Sequence, residues 1–395
     1  MDFRPELPDR LRNGVGMARS TFKHVRVTGI AAVVPEKCIN IDDEIGFFNN
    51  DRALLERNKK ILGLGTRHII DERTSLSDLL VAATENLFTS VGIGRDEVDA
   101  LIVVSTSHDF HYPATACVVQ GRLGFSEDCS CFDVAGLGCS AYVHGLWLAH
   151  SLITSGAAYK CLVLSGDLTS THSDKRNRNS NMLFGDAGTA TLIEGTDEER
   201  QSWFVTGTRG TAYDKLIAPA GGYYLPVRKD IADLEVTDET GNVWRMYDDI
   251  MKGMDVFKFT TEVAPKGIAD ILSYSGKTID DVDYFAIHQA NKQIVTTVAR
   301  WAGLPKDKYS AEAFSKFGNC GAAAVTMELV NCLQKGSLGN VCFATFGVGL
   351  SWGFAVLDMT DVHVAPIAFY KTPADAMTRE EKINYWVNYY KEGNQ

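Results

Sequence analysis

The sequence predicts an α/β fold built from two similar halves, each with one sheet covered by helices. Three observations carry this. Short β-rich apolar runs alternate with stretches of helical spacing. Segments of the second half repeat segments of the first in the same order. The chain has 395 residues, 45% of them hydrophobic, which is enough for two fused domain-sized units.

The elements follow in order. Residues 1–22 read as a loose polar arm. ALIVVST (100–106) has the continuous apolar character of a strand buried on both faces. Residues 114–123 read as a helix, and CFDVAG (131–136) as a second strand. SAYVHGLWLAHSLITSG (140–156) has helical spacing and closes at a glycine. KCLVLSGD (160–167) is a third strand, and FGDAGTATLIEG (184–195) is a glycine turn leading into a fourth. Residues 197–245 carry charged and glycine-rich loops, read as a cap or interface insertion.

The pattern then recurs. DEVDALIVV (96–104) resembles DDVDYFAIH (280–288), and GCSAYVHGLWLA (138–149) resembles NCGAAAVTMELV (319–330). CLVLSG (161–166) resembles VCFATF (341–346), and AGTATLIE (187–194) resembles WGFAVLDM (352–359). The expected organisation is an arm (1–22), an N-terminal half (23–195), a C-terminal half (196–360) and a tail (361–395). Within the tail, Ile383, Trp386, Val387 and Tyr390 have helical spacing over 378–392. Two halves related by pseudo-symmetry bring loops from both to a shared junction, where ligands are favoured.

Composition excludes several classes. Lys and Arg number 39 against 50 Asp and Glu, a net charge of −11, which argues against a broad nucleic-acid surface. The first residues lack the apolar core of a secretion signal, and no run approaches the ~20 apolar residues of a membrane span. The chain is expected in the cytosol, without a membrane partner, and with its nine cysteines mostly reduced.

Cys139 is the first candidate catalytic residue. It follows Gly136-Leu137-Gly138 and opens a long helix, where the dipole and free amides favour a thiolate and lower its pKa. His288 ends a buried strand in AIHQAN, and Asn319 follows a glycine and opens a small-residue helix. By the internal repeat, Asn319 faces Cys139 across the junction. A thiol, an imidazole and an amide converging there make an acyl-transfer site. The turn FGVGLSWG (346–353) can aim N–H groups at an oxyanion, together with the N–H of Cys139. Taken singly, each feature also has an ordinary reading: an inert buried cysteine, a satisfied core histidine, a strand-to-strand turn. His108 and His111 read as loop residues, 175–178 (KRNR) as a solvated loop, and Asp186 as a turn former.

Together, GCSAYVHGL around Cys139, HQAN at 288–291, GN at 318–319 and FGVGLSWG at 346–353 resemble the ketoacyl synthase III group of the thiolase superfamily. The likeness runs from Val27 to about Met359. It implies a duplicated five-layer α-β-α-β-α fold, normally a homodimer, with a Cys139-His288-Asn319 triad. It also implies an oxyanion hole from the N–H groups of Cys139 and Gly349. The implied reaction loads an acyl group from a thioester onto Cys139 and condenses it with a malonyl-type thioester, with loss of carbon dioxide. Substrates would be carried on coenzyme A or on the phosphopantetheine of an acyl carrier protein, with no tightly bound cofactor and no metal. Asn291 and Arg178 would contact the pantetheine or nucleotide end. Phe257 and Phe346 would line the channel, and Tyr112 would reach the partner's acyl pocket.

Departures from the group sharpen this. Arg57-Asn58-Lys59-Lys60-Ile61 stands where an adenine-clamping Trp and Arg are usual. Lys59, Lys60, Lys175, Arg176 and Arg178 are then a candidate patch for an acidic carrier. GLGCSA is closer to the GMGCSA of plant very-long-chain condensing enzymes than to the bacterial fatty-acid enzymes, which points to a specialised fatty-acid or polyketide pathway. Two alternatives stand beside condensation: transfer of the acyl group to a hydroxyl or amine, and a silent partner subunit. Retention of the whole triad argues against the second.

Overall fold

The computed structural model describes residues 18–392, apart from 172–173, 178–179, 240, 334–335 and 337. Two sheets account for the main strands. In chain order these are β1 (Ala18–Phe22), β2 (Val25–Pro35), β3 (Ala100–Ser105), β4 (Ser130–Ala135), β5 (Lys160–Asp167), β6 (Ala187–Gly195), β7 (Ser202–Thr208), β8 (Tyr284–Ile287), β9 (Asn340–Gly347), β10 (Ser351–Asp358), β11 (His363–Val364) and β12 (Ala368–Tyr370). The main helices are α1 (Arg52–Leu62), α2 (Leu76–Val91), α3 (Thr115–Leu123), α4 (Ala141–Thr154), α5 (Gly253–Ser275), α6 (Lys292–Trp301), α7 (Glu312–Phe317), α8 (Ala324–Leu333) and α9 (Arg379–Glu392).

The first sheet runs β4-β3-β5-β6-β2, and the second runs β8-β9-β10-β7-β1. Their pairing senses match. In the first, β3 is parallel to β5, which is antiparallel to β6, which is antiparallel to β2. In the second, β8 is parallel to β9, which is antiparallel to β10, which is antiparallel to β7. The sequence repeat is therefore a repeat of topology. The fifth strand, β4, has only a trace in the second half, where the Phe285 N–H donates to the Lys308 carbonyl at 2.8 Å.

Helices α4 and α8 lie between the sheets. α4 touches β3, β5 and β6 of one sheet and β9 and β10 of the other, while α8 touches β8 and β2. Helices α2 and α3 cover the outside of the first sheet, and α5 the outside of the second with α6 packed against it, giving the five-layer α-β-α-β-α arrangement. The middle layer is small and apolar because both faces of each helix are buried. A Cβ at Gly145 would sit 2.8 Å from a Val104 methyl, so glycine lets α4 lie close on β3. Every residue of β3 is buried, as its unbroken apolar run predicts.

Three boundaries differ from the sequence reading. Residues 18–22 are no loose arm, because β1 pairs antiparallel with β7 at the edge of the second sheet. The expected insertion begins with β7, whose Phe204 and Val205 are core residues. The tail is not separate either: β11 and β12 pair parallel with β2 in the first sheet. Beyond them, α9 forms as its spacing predicts, and Trp386 meets Phe110 edge-to-face at 6.0 Å. Among the described residues, no helix is long and apolar enough to cross a membrane.

Candidate active site

Cys139 sits in a single 3-10 turn, Gly138–Ser140, that feeds directly into α4. A matching turn, Gly321–Ala323, feeds α8. The two turns touch across the junction of the halves. This moves the repeat register: Ala322, not Asn319, is the structural counterpart of Cys139, and Asn319 lies on the approach to the turn. Asn319 stands two residues before its turn, the place Gly136 takes before the cysteine turn, and its side-chain oxygen accepts the Gly321 N–H at 3.1 Å.

That bond also orients the amide. With Oδ1 engaged, the Asn319 Nδ2 is free to donate towards the Cys139 side chain, whose ionised form the amide favours. The backbone of Asn319 is held on both sides, its N–H donating to the Leu183 carbonyl at 2.8 Å and its carbonyl accepting from Gly185 at 3.2 Å. The cysteine turn is fixed as firmly. The Ser140 and Ser351 hydroxyls share a hydrogen bond of 2.6 Å, which ties the turn to the start of β10. A Cβ at Gly347 would lie 2.8 Å from the Cys139 nitrogen, so only glycine permits this approach.

His288 follows β8, and its N–H donates to the Ala344 carbonyl at 2.9 Å. The side chain is buried and packs edge-to-face on Phe346 at 5.3 Å. Burial alone pushes its pKa down to about 3, so it is neutral at physiological pH. Its Nδ1 is buried and has no hydrogen-bond partner among the described residues. An unpaired N–H costs more there than an unpaired lone pair, so we assign the proton to Nε2.

The Cys139 thiol does not behave as the helix terminus alone predicts. Burial, with the nearby carboxylates of Asp167 and Asp249, pushes its pKa above the ordinary thiol range, against the opposing pull of the Asn319 amide. Desolvation, the largest of these effects, favours the neutral thiol. Asp167 is a site residue that the sequence reading missed. It ends β5, accepts the Ala322 N–H at 2.7 Å and the Ser105 hydroxyl at 2.9 Å, and so joins the two halves beneath the thiol. No local motif marked it; an acid closing an apolar strand was its only signal.

Two cavities meet at Cys139. One, of about 400 Å³, is walled by His288, Asn319, Asn291, Phe257, Phe346 and Leu350, among others. The other, of about 580 Å³, runs from Cys139 past Val348, Thr169, Asp109 and Asp249. The first collects most of the expected substrate residues. Asn291 also caps α6, its side-chain oxygen accepting the Ile294 N–H at 2.9 Å, which leaves its amide donors for a ligand. Gly349 lies in the expected turn at φ +127° but lines neither cavity, whereas Val348 lines the second beside Cys139. Tyr112 is 78% exposed on the loop that carries His108 and is not part of either wall. Arg178 lies outside the described residues. His108 is not free to seek a metal, because its ring pairs with Asp133 at 3.1 Å. Asp186 is fully buried and does not act as a local turn former: its carboxylate accepts the Ile70 N–H at 2.9 Å and the Ser170 N–H at 3.1 Å, tying distant segments together.

The proposed basic patch is partly neutralised. Lys59 is bound to Asp42 at 2.8 Å, and Arg176 to Asp174 at 2.8 Å and to Glu235. Lys60 and Lys175 remain exposed.

Paired half-sheets with a cysteine, a neutral histidine and an amide at their junction define the thiolase-type condensing enzymes. Known proteins agree. Family models for 3-oxoacyl-[acyl-carrier-protein] synthase III match residues 132–210, and for its C-terminal part residues 272–359. A Campylobacter jejuni protein provisionally named a 3-oxoacyl-[acyl-carrier-protein] synthase 3 is 36% identical over 353 residues, covering 89% of this chain and 99% of its own. A Streptomyces coelicolor β-ketoacyl-[acyl-carrier-protein] synthase III is 31% identical, covering 84% and 96%. The crystal structure of a Burkholderia xenovorans 3-oxoacyl-(acyl-carrier protein) synthase superposes with a TM-score of 0.81 at 30% identity, covering 90% of this chain and 99% of that one. The chain belongs to the 3-oxoacyl-[acyl-carrier-protein] synthase III family, and it is an acyltransferase of the ketosynthase type.

Proposed function

We propose that Cys139 takes an acyl group from a coenzyme A or carrier-protein thioester and passes it to the enolate of a malonyl-type thioester. The observation that carries this is the position of Cys139 between two cavities, with His288 and Asn319 in the wall of only one. One cavity stores the acyl chain while the other receives the thioester arms in turn.

In the first half-reaction the Cys139 sulfur attacks the thioester carbonyl, and its proton leaves with the departing thiol. The developing oxyanion lies on the Cys139 N–H and an N–H of the 347–349 turn, the part of the chain that carries Gly349. In the second, the malonyl carboxylate departs as carbon dioxide and its bonding pair becomes the enolate. Nε2–H of His288 and Nδ2–H of Asn319 donate to the enolate oxygen. The enolate carbon then attacks the acyl-cysteine, and the Cys139 thiolate is expelled and reprotonated. Transfer to a hydroxyl would instead need His288 as a base with its proton on Nδ1, which finds no acceptor among the described residues. A homodimer in which exposed Tyr112 reaches the neighbouring acyl cavity, and a carrier docking near Lys60, complete the proposal.

The test is a malonyl thioester labelled in its free carboxyl, given to the acylated enzyme. Labelled carbon dioxide with a 3-oxoacyl product supports condensation; an ester or amide formed without carbon dioxide overturns it.

A further inference from the structure

The two cavities at Cys139 differ in chemistry. The one holding His288 is walled largely by methionine, leucine and phenylalanine side chains, as a channel for a slender thioester arm would be. The 580 Å³ cavity on the other side is not. Its wall includes the carboxylates of Asp109, Asp167 and Asp249 and the hydroxyls of Thr106, Ser107 and Thr169. A pocket for a plain alkyl chain would bury these groups against methylenes, which costs free energy unless they are paired.

Some are paired within the protein. Asp167 is filled by donors from both halves, and the Thr106 and Ser107 hydroxyls both donate to it. Two acceptors are not filled. Asp109 uses Oδ1 for the Ser77 N–H at 3.2 Å, and its Oδ2 has no partner among the described residues. The Thr169 hydroxyl makes no hydrogen bond among them. The one ring in this wall able to carry positive charge, His108, faces Asp133.

We propose that this cavity selects an acyl group bearing a hydrogen-bond donor, a hydroxyl or an ammonium, which Asp109 and Thr169 receive. Simple alkyl groups leave both residues unpaired, and a carboxylate-ended acyl group meets like charge. This deepens the reading of Cys139 as the acyl acceptor and depends on it. A hydrogen bond to a charged acceptor corresponds to roughly tenfold to hundredfold discrimination.

The test measures the rate of acyl-adduct formation on Cys139 by intact-protein mass spectrometry. The full chain is mixed with butyryl-, 3-hydroxybutyryl-, β-alanyl- or succinyl-coenzyme A. The expected result is that the hydroxy- or aminoacyl thioester outpaces butyryl by about tenfold or more, with succinyl slowest. Which of the two leads identifies the donor. Thr169→Val and Asp109→Asn should each shrink the preference over butyryl by about fivefold or more. Butyryl loading as fast as both polar thioesters overturns the inference while leaving the acyl-cysteine reading intact, as does a preference that survives both substitutions. If none of the four acylates a Cys139 that iodoacetamide still labels, the acyl-cysteine reading falls and this inference falls with it.

Discussion

Asn319 and Gly321 form a two-residue clasp: the amide oxygen of one accepts the backbone N–H of the other at 3.1 Å. That single bond decides which end of the amide faces Cys139. It makes Asn319 a donor, the role needed by an enolate or a thiolate and of no use to a cation.

Replacing Asn319 by Ala separates the two half-reactions. Acylation of Cys139 is expected to continue, whereas decarboxylation of a malonyl thioester falls by about a hundredfold or more, the usual loss for one oxyanion donor. Adduct mass measures the first and carbon dioxide release the second. Equal losses in both would show that Asn319 serves the acylation step as well.

The thiol itself should be slow to ionise. With burial and two carboxylates raising its pKa, iodoacetamide labelling of Cys139 is expected to keep climbing well above pH 9, instead of levelling near the ordinary thiol value of about 8.5. A plateau below pH 8 contradicts this.

His150 provides an acid-sensitive point in the middle layer. It is fully buried between Phe22 and Phe204, with ring centroids at 5.6 and 4.9 Å, and burial lowers its pKa to about 4. The folded pKa lies below the unfolded value of about 6.5, so acid adds a proton to the unfolded chain first. The stability is present above pH 6.5 and is lost as pH falls toward 4, amounting to about 3 kcal/mol. His150→Phe should flatten this limb of the curve, as read by urea unfolding between pH 7 and 4. An unchanged slope would show that the ring is not the source.

Gln289, fully buried beside His288, clamps the site from behind. Its Nε2 donates to the Ile287 and Ser310 carbonyls at 2.9 and 3.0 Å, and its Oε1 accepts the Phe314 N–H at 3.4 Å. Gln289→Leu strands these groups and is expected to lower stability by about 2–4 kcal/mol. Condensation should fall further than acylation, because the clamp joins the strand of His288 to the segment leading to Asn319. Chemical denaturation and the two half-reaction assays check this, and wild-type stability would contradict it.

The sequence made much of this visible, for physical reasons that differ by element. The strand at 100–105 was legible because both its faces are buried and its apolar run is unbroken. Cys139 and His288 were legible because glycine turns and strand ends carry chemistry that local spacing displays. The edge strand Ala18–Phe22 was not, because an edge strand alternates polar and apolar weakly and its partner Ser202–Thr208 lies far along the chain. The raised pKa of Cys139 was hidden for a similar reason. It depends on Asp167 and Asp249, which only the fold brings near. The register of the repeat failed where two small-residue runs, 138–141 and 319–324, align equally well by composition.

The ends of the chain are exchanged between the halves. The opening strand Ala18–Phe22 completes the second sheet, and the closing strands His363–Val364 and Ala368–Tyr370 complete the first. The molecule is thus laced at both ends, and the two halves do not separate cleanly at the boundary expected near residue 196. Two pieces cut there would each lack an edge of their own sheet and carry strands of the other's.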